Sequence, residues 1–108
     1  MSTGIITSFT LVDFPTENDM TAFFVFMEKH TEALAAELRA NGMTKFYVTR
    51  VFNKDGKFTI GNWLEYKDSD SYAACEKIWA RFTSEVSNKS GLVGKIAPHR
   101  CIVQYDYS

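Results

Sequence analysis

The sequence predicts an α+β domain with the element order β-α-β-β-α-β. Three observations carry that expectation. From Phe58 to Phe82, a run that alternates with period two passes through a capped turn into a run that repeats at three and four residues. Asp55-Gly56 stands between two alternating segments, which is a strong hairpin signal. A second helical stripe, from Met20 to Leu38, lies between the first alternating segment and that hairpin.

Ile5 to Asp13 reads as the first strand. Ile5, Thr7, Phe9 and Leu11 share one face; Ile6, Ser8, Thr10 and Val12 share the other, so both faces are partly apolar. Pro15 and Thr16 break the strand. Thr16, with Asp19 three residues on, forms a capping pattern in which Asp replaces the usual Glu, and Asn18 is an alternative cap. The first helix is expected over Glu17 to Asn41, with Gly42 as its left-handed stop. Met20, Phe23, Phe24, Met27, Leu34, Ala35 and Leu38 form its stripe. Thr31 falls in the middle of that stripe, and His30 lies at its edge. Val25 and Phe26 point away from it, which implies a further contact.

Met43 to Lys54 is the second strand, and the third runs from Lys57 through Tyr66. Taken as a two-residue turn, Asp55-Gly56 fixes their register. It pairs Lys54 with Lys57, Phe52 with Thr59, Arg50 with Gly61, Val48 with Trp63 and Phe46 with Glu65. Arg50, Trp63 and Glu65 then share one face. Asp68 or Ser69 caps the second helix, and Asp70 adds negative charge where the helix dipole favours it. Tyr72, Cys75, Trp79, Phe82 and Val86 form its stripe, flanked by Ile78, and it ends near Asn88. Lys89 to Pro98 is a glycine-containing connection, with Leu92, Val93 and Ile96 apolar enough for part of it to dock. His99 to Tyr107 is the last strand, entered after Pro98.

A chain of 108 residues is one domain, residues 1–108. At 45% hydrophobic and 15% aromatic it can bury a core. Its net charge of −1 and lack of a basic run argue against nucleic acid as a partner. No stretch approaches the roughly 20 apolar residues that span a bilayer. Met1 to Gly4 show no export signal, so a cytoplasmic location is expected, with Cys75 and Cys101 both reduced and buried.

The expected architecture is a four-stranded antiparallel sheet with two helices on one face, the ferredoxin-like or split-βαβ arrangement. Two helices cover one side of a sheet, yet all four strands carry apolar residues on both. A second copy of the chain is the simplest cover for the other side, giving a homodimer through the sheet face. Element order, length and this two-sided sheet resemble the dimeric α+β barrel superfamily, with its antibiotic-biosynthesis-monooxygenase-like, NIPSNAP-like and stress-responsive members. The most specific part of the resemblance is Trp63-Leu64-Glu65-Tyr66-Lys67-Asp68 leading into Tyr72-Ala73-Ala74. In monooxygenase-like members a helix His follows that Glu by about eleven residues, and in haem-degrading members such a His ligates iron. Here the position is Glu76, so the resemblance does not extend to haem ligation, and no cofactor is expected.

A face carrying Arg50, Trp63 and Glu65 has the makings of a ligand site: apolar walls with a few placed polar groups. Arg50 suits a carboxylate, enolate or phenolate; Glu65, if desolvated, suits a general base; Trp63 suits a stacking wall. The alternative is that Arg50 and Glu65 form an ordinary ion pair across the strands or the dimer interface. His99 is a second candidate for proton transfer, the alternative being an exposed strand-end residue. Neither histidine has metal-type spacing, so no metal is expected. What the resemblance implies is a small enzyme acting without a cofactor on an aromatic or polyketide-like compound, as a monooxygenase, cyclase or isomerase. The competing expectation is a non-catalytic dimeric module, binding or stress-related, whose inter-sheet space is filled by its own side chains.

Overall fold

Every expected element forms, in the expected order. The structure, a computed structural model, describes residues 4–108; Met1 to Thr3, part of the segment read for an export signal, lie outside the described residues. The elements are β1 (Ile6–Phe14), α1 (Glu17–Ala40), β2 (Met43–Arg50), β3 (Phe58–Tyr66), α2 (Ser69–Glu85) and β4 (Lys95–Ile102), with a 3-10 turn at Ser87–Lys89. The four strands form one antiparallel sheet in the order β2-β3-β1-β4. This is the ferredoxin-like arrangement, with α1 and α2 packed on one face.

The capping chemistry read from sequence is in place. The Asp19 N–H donates to Thr16 Oγ1 at 3.1 Å, and the Thr16 hydroxyl donates in turn to the Asp19 carboxylate at 2.8 Å. The Ser71 N–H donates to Asp68 Oδ1 at 2.8 Å, and hydrogen bonding from the Ser71 side chain, with this backbone bond, holds the Asp68 carboxyl below its ordinary range. Gly42 ends α1 at φ +101°, and a Cβ there would collide with the Ser71 side chain, so both conformation and space call for glycine.

The hairpin register differs from expectation by one residue. Tyr47 pairs with Trp63, Thr49 with Gly61, and Arg50 with Ile60. A tight turn does form at Asp55-Gly56, with the Lys57 N–H donating to the Lys54 carbonyl at 3.2 Å. Only Gly56 has positive φ, however, whereas the type I′ form that Asp-Gly favours in a two-residue hairpin turn needs it at both central positions. The ladder therefore does not run straight into the turn. Its last bond on this side is Val51 N–H to Thr59 O, and β2 stops at Arg50 rather than Lys54. A one-residue slip moves every side chain to the other face. A second irregularity, between Met43 and Lys45, leaves Thr44 bulged at the opposite end.

The last strand is also displaced. It begins at Lys95 and ends at Ile102, so Pro98 lies inside it, opposite Thr10. As β4 is an edge strand, the missing N–H of Pro98 costs no ladder bond. Tyr105 and Tyr107 lie beyond it, exposed and stacked on each other. Of the apolar residues in the preceding connection only Leu92 is partly buried, Val93 and Ile96 being exposed, and Gly94, itself exposed, passes close to the Val12 and Phe14 side chains. Cys75 is buried as expected, but Cys101 is exposed on β4.

The core under the helices is in two parts. One cluster gathers Leu34, Leu38, Met43, Leu64, Tyr66, Cys75 and Ile78. The other gathers Val12, Phe14, Met20 and Ile60 at the opposite end of the sheet. Phe26, expected to point outward, packs on Phe82 and His30 and so joins the two helices; Val25 stays exposed. In the first cluster burial pushes the Tyr66 phenol up to about 12. Its raised pKa means that the folded protein holds this proton more tightly than the unfolded chain. The stability it contributes is complete below the ordinary phenol pKa near 10 and disappears as pH rises through about 12. In urea unfolding at stepped pH, Tyr66→Phe should flatten the loss of stability between those limits. An unchanged alkaline slope would show that Tyr66 is not its source.

Candidate functional site

The register places Arg50, Phe46 and Val48 on the helix side of the sheet with Ile60, Asn62 and Leu64. Trp63 and Glu65 lie on the other side, so the three candidate ligand residues do not share a face. Among the described residues, the ion pairs within the protomer are Arg81–Glu37 and Arg100–Glu76, so Arg50 and Glu65 do not pair across the strands of one chain.

The open side of the sheet carries a ladder of rings. Phe9 on β1 stacks on Trp63 of β3 and on His99 of β4, each at a centroid distance of 4.6 Å. His99 is thus a mid-strand residue with an aromatic partner, not the strand-end residue weighed from sequence. Glu65 Oε2 accepts a 2.6 Å hydrogen bond from the Thr44 hydroxyl, so the β2 bulge orients this carboxylate. Thr59 donates to Asp13 on the same side. Trp63 remains 45% exposed and Tyr47 58%, and all eight residues of β4 are exposed. Among the described residues, no helix lies over this surface.

On the helix side, the gap between the two core clusters is polar. Thr31 and Asn62 contribute the buried side-chain oxygens that, among the described residues, have no hydrogen-bond partner. Thr31 sits in the apolar stripe of α1; Asn62 lies between Ile60 and Leu64 on the buried face of β3. Beside them is a cleft of about 370 Å³ lined by Phe24, Met27, Glu28, Thr31 and Val48. Val48 is the ladder neighbour of Asn62, so the cleft and both oxygens occupy one region between α1 and the sheet. An unpartnered buried oxygen is costly, about 1–3 kcal/mol, and native proteins satisfy nearly all of them with protein, water or ligand. Two beside one apolar cleft mark a place suited to a ligand with polar groups.

A smaller groove of about 230 Å³ lies between the helices, lined by His30, Glu37, Arg81, Phe82 and Glu85 among others. Arg81 there is already paired with Glu37, which holds its guanidinium protonated, and His30 packs on Phe26. This groove offers less space and fewer uncommitted groups. Glu76, which stands where the resemblance leads one to look for a His, is engaged by Arg100 at 3.0 Å. That pair raises the Arg100 pKa and ties β4 to α2. Among the described residues, no group of three or more His, Cys, Asp or Glu side chains is placed to hold a metal ion, and no helix is long and apolar enough to cross a membrane.

Sequence reasoning passed over Asn62 and noted Thr31 only as a polar residue in an apolar stripe. That was the available signal. A polar side chain breaking a helical stripe, and another breaking the buried alternation of a strand, are each weak alone. They combine only in the folded chain, where this face of β3 meets α1.

The chain is similar in structure to a dimeric ferredoxin-like protein from an uncultured marine organism. That match has 29% identity and TM-score 0.87, covering 94% of this chain and 97% of that one. A second dimeric ferredoxin-like protein from an uncultured marine organism matches with 22% identity and TM-score 0.86, covering 96% and 98%. SnoaB, a cofactor-independent oxygenase from Streptomyces nogalater, shares the fold at 10% identity and TM-score 0.55, covering 96% and 97%. Antibiotic-biosynthesis-monooxygenase-like and NIPSNAP-like proteins share it too, in agreement with the resemblance seen in the sequence. No curated protein matches the sequence. One family model spans residues 3–103, nearly the whole chain, and the protein accordingly belongs to the family described as a domain of unknown function, DUF6974.

Proposed function

We propose that this protein is a homodimeric small-molecule-binding domain. The open sheet faces of two copies pack together, and each protomer takes a small, largely apolar or aromatic molecule into the cleft between α1 and the sheet. The observation that carries the binding site is the pair of unpartnered oxygens, Thr31 Oγ1 and Asn62 Oδ1, beside a cleft of about 370 Å³. Pockets for small ligands start at about 300 Å³ and combine apolar walls with few polar groups. The dimer is supported by the uncovered rings of Phe9, Trp63 and His99 and by the dimeric state of the similar marine proteins.

Similarity to a cofactor-independent oxygenase favours oxygenation, cyclisation or isomerisation over other reaction classes. Asn62 and Thr31 would then hold the reacting oxygen substituent, with Arg50, beyond Val48 on β2, as the cation. A second reading places the ligand between the two sheets, with Trp63 as wall and Glu65 or His99 as base. The bond from Thr44 that orients Glu65 is the observation in its favour.

Native mass spectrometry of freshly purified protein tests the proposal. The expected species is a dimer of 12.3 kDa chains that takes up two molecules of added 2-naphthol. A monomer that takes up none would refute both halves. Oxygen uptake on adding dihydroxynaphthalene, lost in Asn62→Leu, is the expected sign of oxygenase chemistry; binding without uptake would make the protein a carrier.

A further inference from the structure

We infer that the ligand of the α1–sheet cleft is an organic anion: an aromatic-sized apolar body with a hydrogen-bond donor at its buried end and a carboxylate or similar acid at its outer end. The inference rests on the proposed binding site and narrows what that site accepts.

At the buried end, Asn62 Oδ1 can only accept a hydrogen bond, and Thr31 Oγ1 can accept or donate. A ligand hydroxyl satisfies Asn62 where a ketone or ether oxygen does not. The walls between are Phe24, Met27 and Val48, all apolar, and methionine adapts to flat or branched shapes.

At the outer end, the next β2 residue on the Val48 face is Arg50, two positions on and so about 7 Å along the strand. Arg50 is exposed and takes part in neither the Arg81–Glu37 nor the Arg100–Glu76 pair. Beyond it, the hairpin tip adds Lys54 and Lys57 against Asp55. A guanidinium presents a fork of N–H donors that matches a carboxylate in geometry as well as charge. The opposing charge is Glu28, which lines the cleft from α1. Arg50, beyond Val48 on β2, and Glu28, in the cleft lining on α1, make the ligand's polarity a matter of charge selection, and each residue can be tested separately.

The test is calorimetric titration of the dimer with three probes: 6-hydroxy-2-naphthoate, 2-naphthoate and 2-naphthol. The hydroxy acid should bind tightest, and 2-naphthol, which lacks the acid, about tenfold more weakly. Arg50→Ala should weaken the hydroxy acid to the level of 2-naphthol and leave 2-naphthol unchanged. Glu28→Gln should tighten both acids and leave 2-naphthol unchanged. Asn62→Leu should remove the advantage of the hydroxy acid over 2-naphthoate. If 2-naphthol binds as tightly as the acids, or if Glu28→Gln weakens the acids, the anion assignment is overturned while the binding site stands. If none of the three binds, the binding site itself fails.

Discussion

Replacing Asn62 with leucine should yield a more stable protein that binds its ligand more weakly. Asn62 lies between Ile60 and Leu64 on the buried face of β3, and its Oδ1 has no partner. Desolvating that oxygen without a hydrogen bond costs about 1–3 kcal/mol. Leucine is close to asparagine in size, removes the cost and adds apolar burial between the two core clusters. A gain of about 1–2 kcal/mol is expected, which raises Tm by roughly 5–10 °C in a domain of this size. Thr31→Val should act in the same direction and more weakly, because only one hydroxyl is replaced. Ligand binding should fall with both. A core position where the polar residue lowers stability and supports binding is what a functional site retains against the stability trend. If Asn62→Leu lowers Tm instead, the amide is making bonds that hold the fold, and the site loses its main support. Calorimetry and 2-naphthol titration of the same two variants decide this.

Phe9→Lys should convert the dimer into a folded monomer. Phe9 is the middle ring of the Trp63–Phe9–His99 ladder, at the centre of the sheet's open face. In a face-to-face dimer its position is covered by the partner sheet, and an unpaired ammonium buried there costs several kcal/mol. A loss of about 3 kcal/mol is more than a hundredfold in the dimer dissociation constant. The protomer should survive, because both core clusters lie on the opposite side of the sheet and Phe9 belongs to neither. Light scattering should report 12.3 kDa rather than twice that, with an unchanged far-ultraviolet circular dichroism spectrum. A dimer of undiminished stability would place the interface elsewhere, with the exposed edge strand β4 the next surface to examine.

The same two surfaces show how far the sequence could be read. The β3 span Phe58–Tyr66, the Thr16 and Asp68 caps and the Gly42 stop follow from local chemistry, and local chemistry suffices for them. The apolar character of both sheet faces was equally visible, since it depends only on alternation. What alternation does not fix is which face is which. Which β2 and β3 residues share a face rested on the Asp55-Gly56 turn, and a single residue between turn and ladder reversed that grouping. Arg50 thereby moved from the side of Trp63 and Glu65 to the side of Asn62. Pro98 misled in a similar way. Read as the residue before a strand, it lies inside one, because only the finished sheet shows β4 to be an edge. The candidate site was hardest to read because it exists only where α1 and β3 face each other.

The binding site can be tested most directly on its own methionine. The chain has four methionines, and Met27 lines the cleft while Met20 and Met43 sit in the two core clusters on either side. In carbon-13 methyl-labelled protein titrated with 2-naphthol, the Met27 methyl resonance should shift in proportion to occupancy. Those of Met20 and Met43 should stay nearly fixed, and so should the Trp63 indole resonance on the far side of the sheet. A Trp63 shift with Met27 unmoved would put the ligand between the sheets and contradict the site placed here.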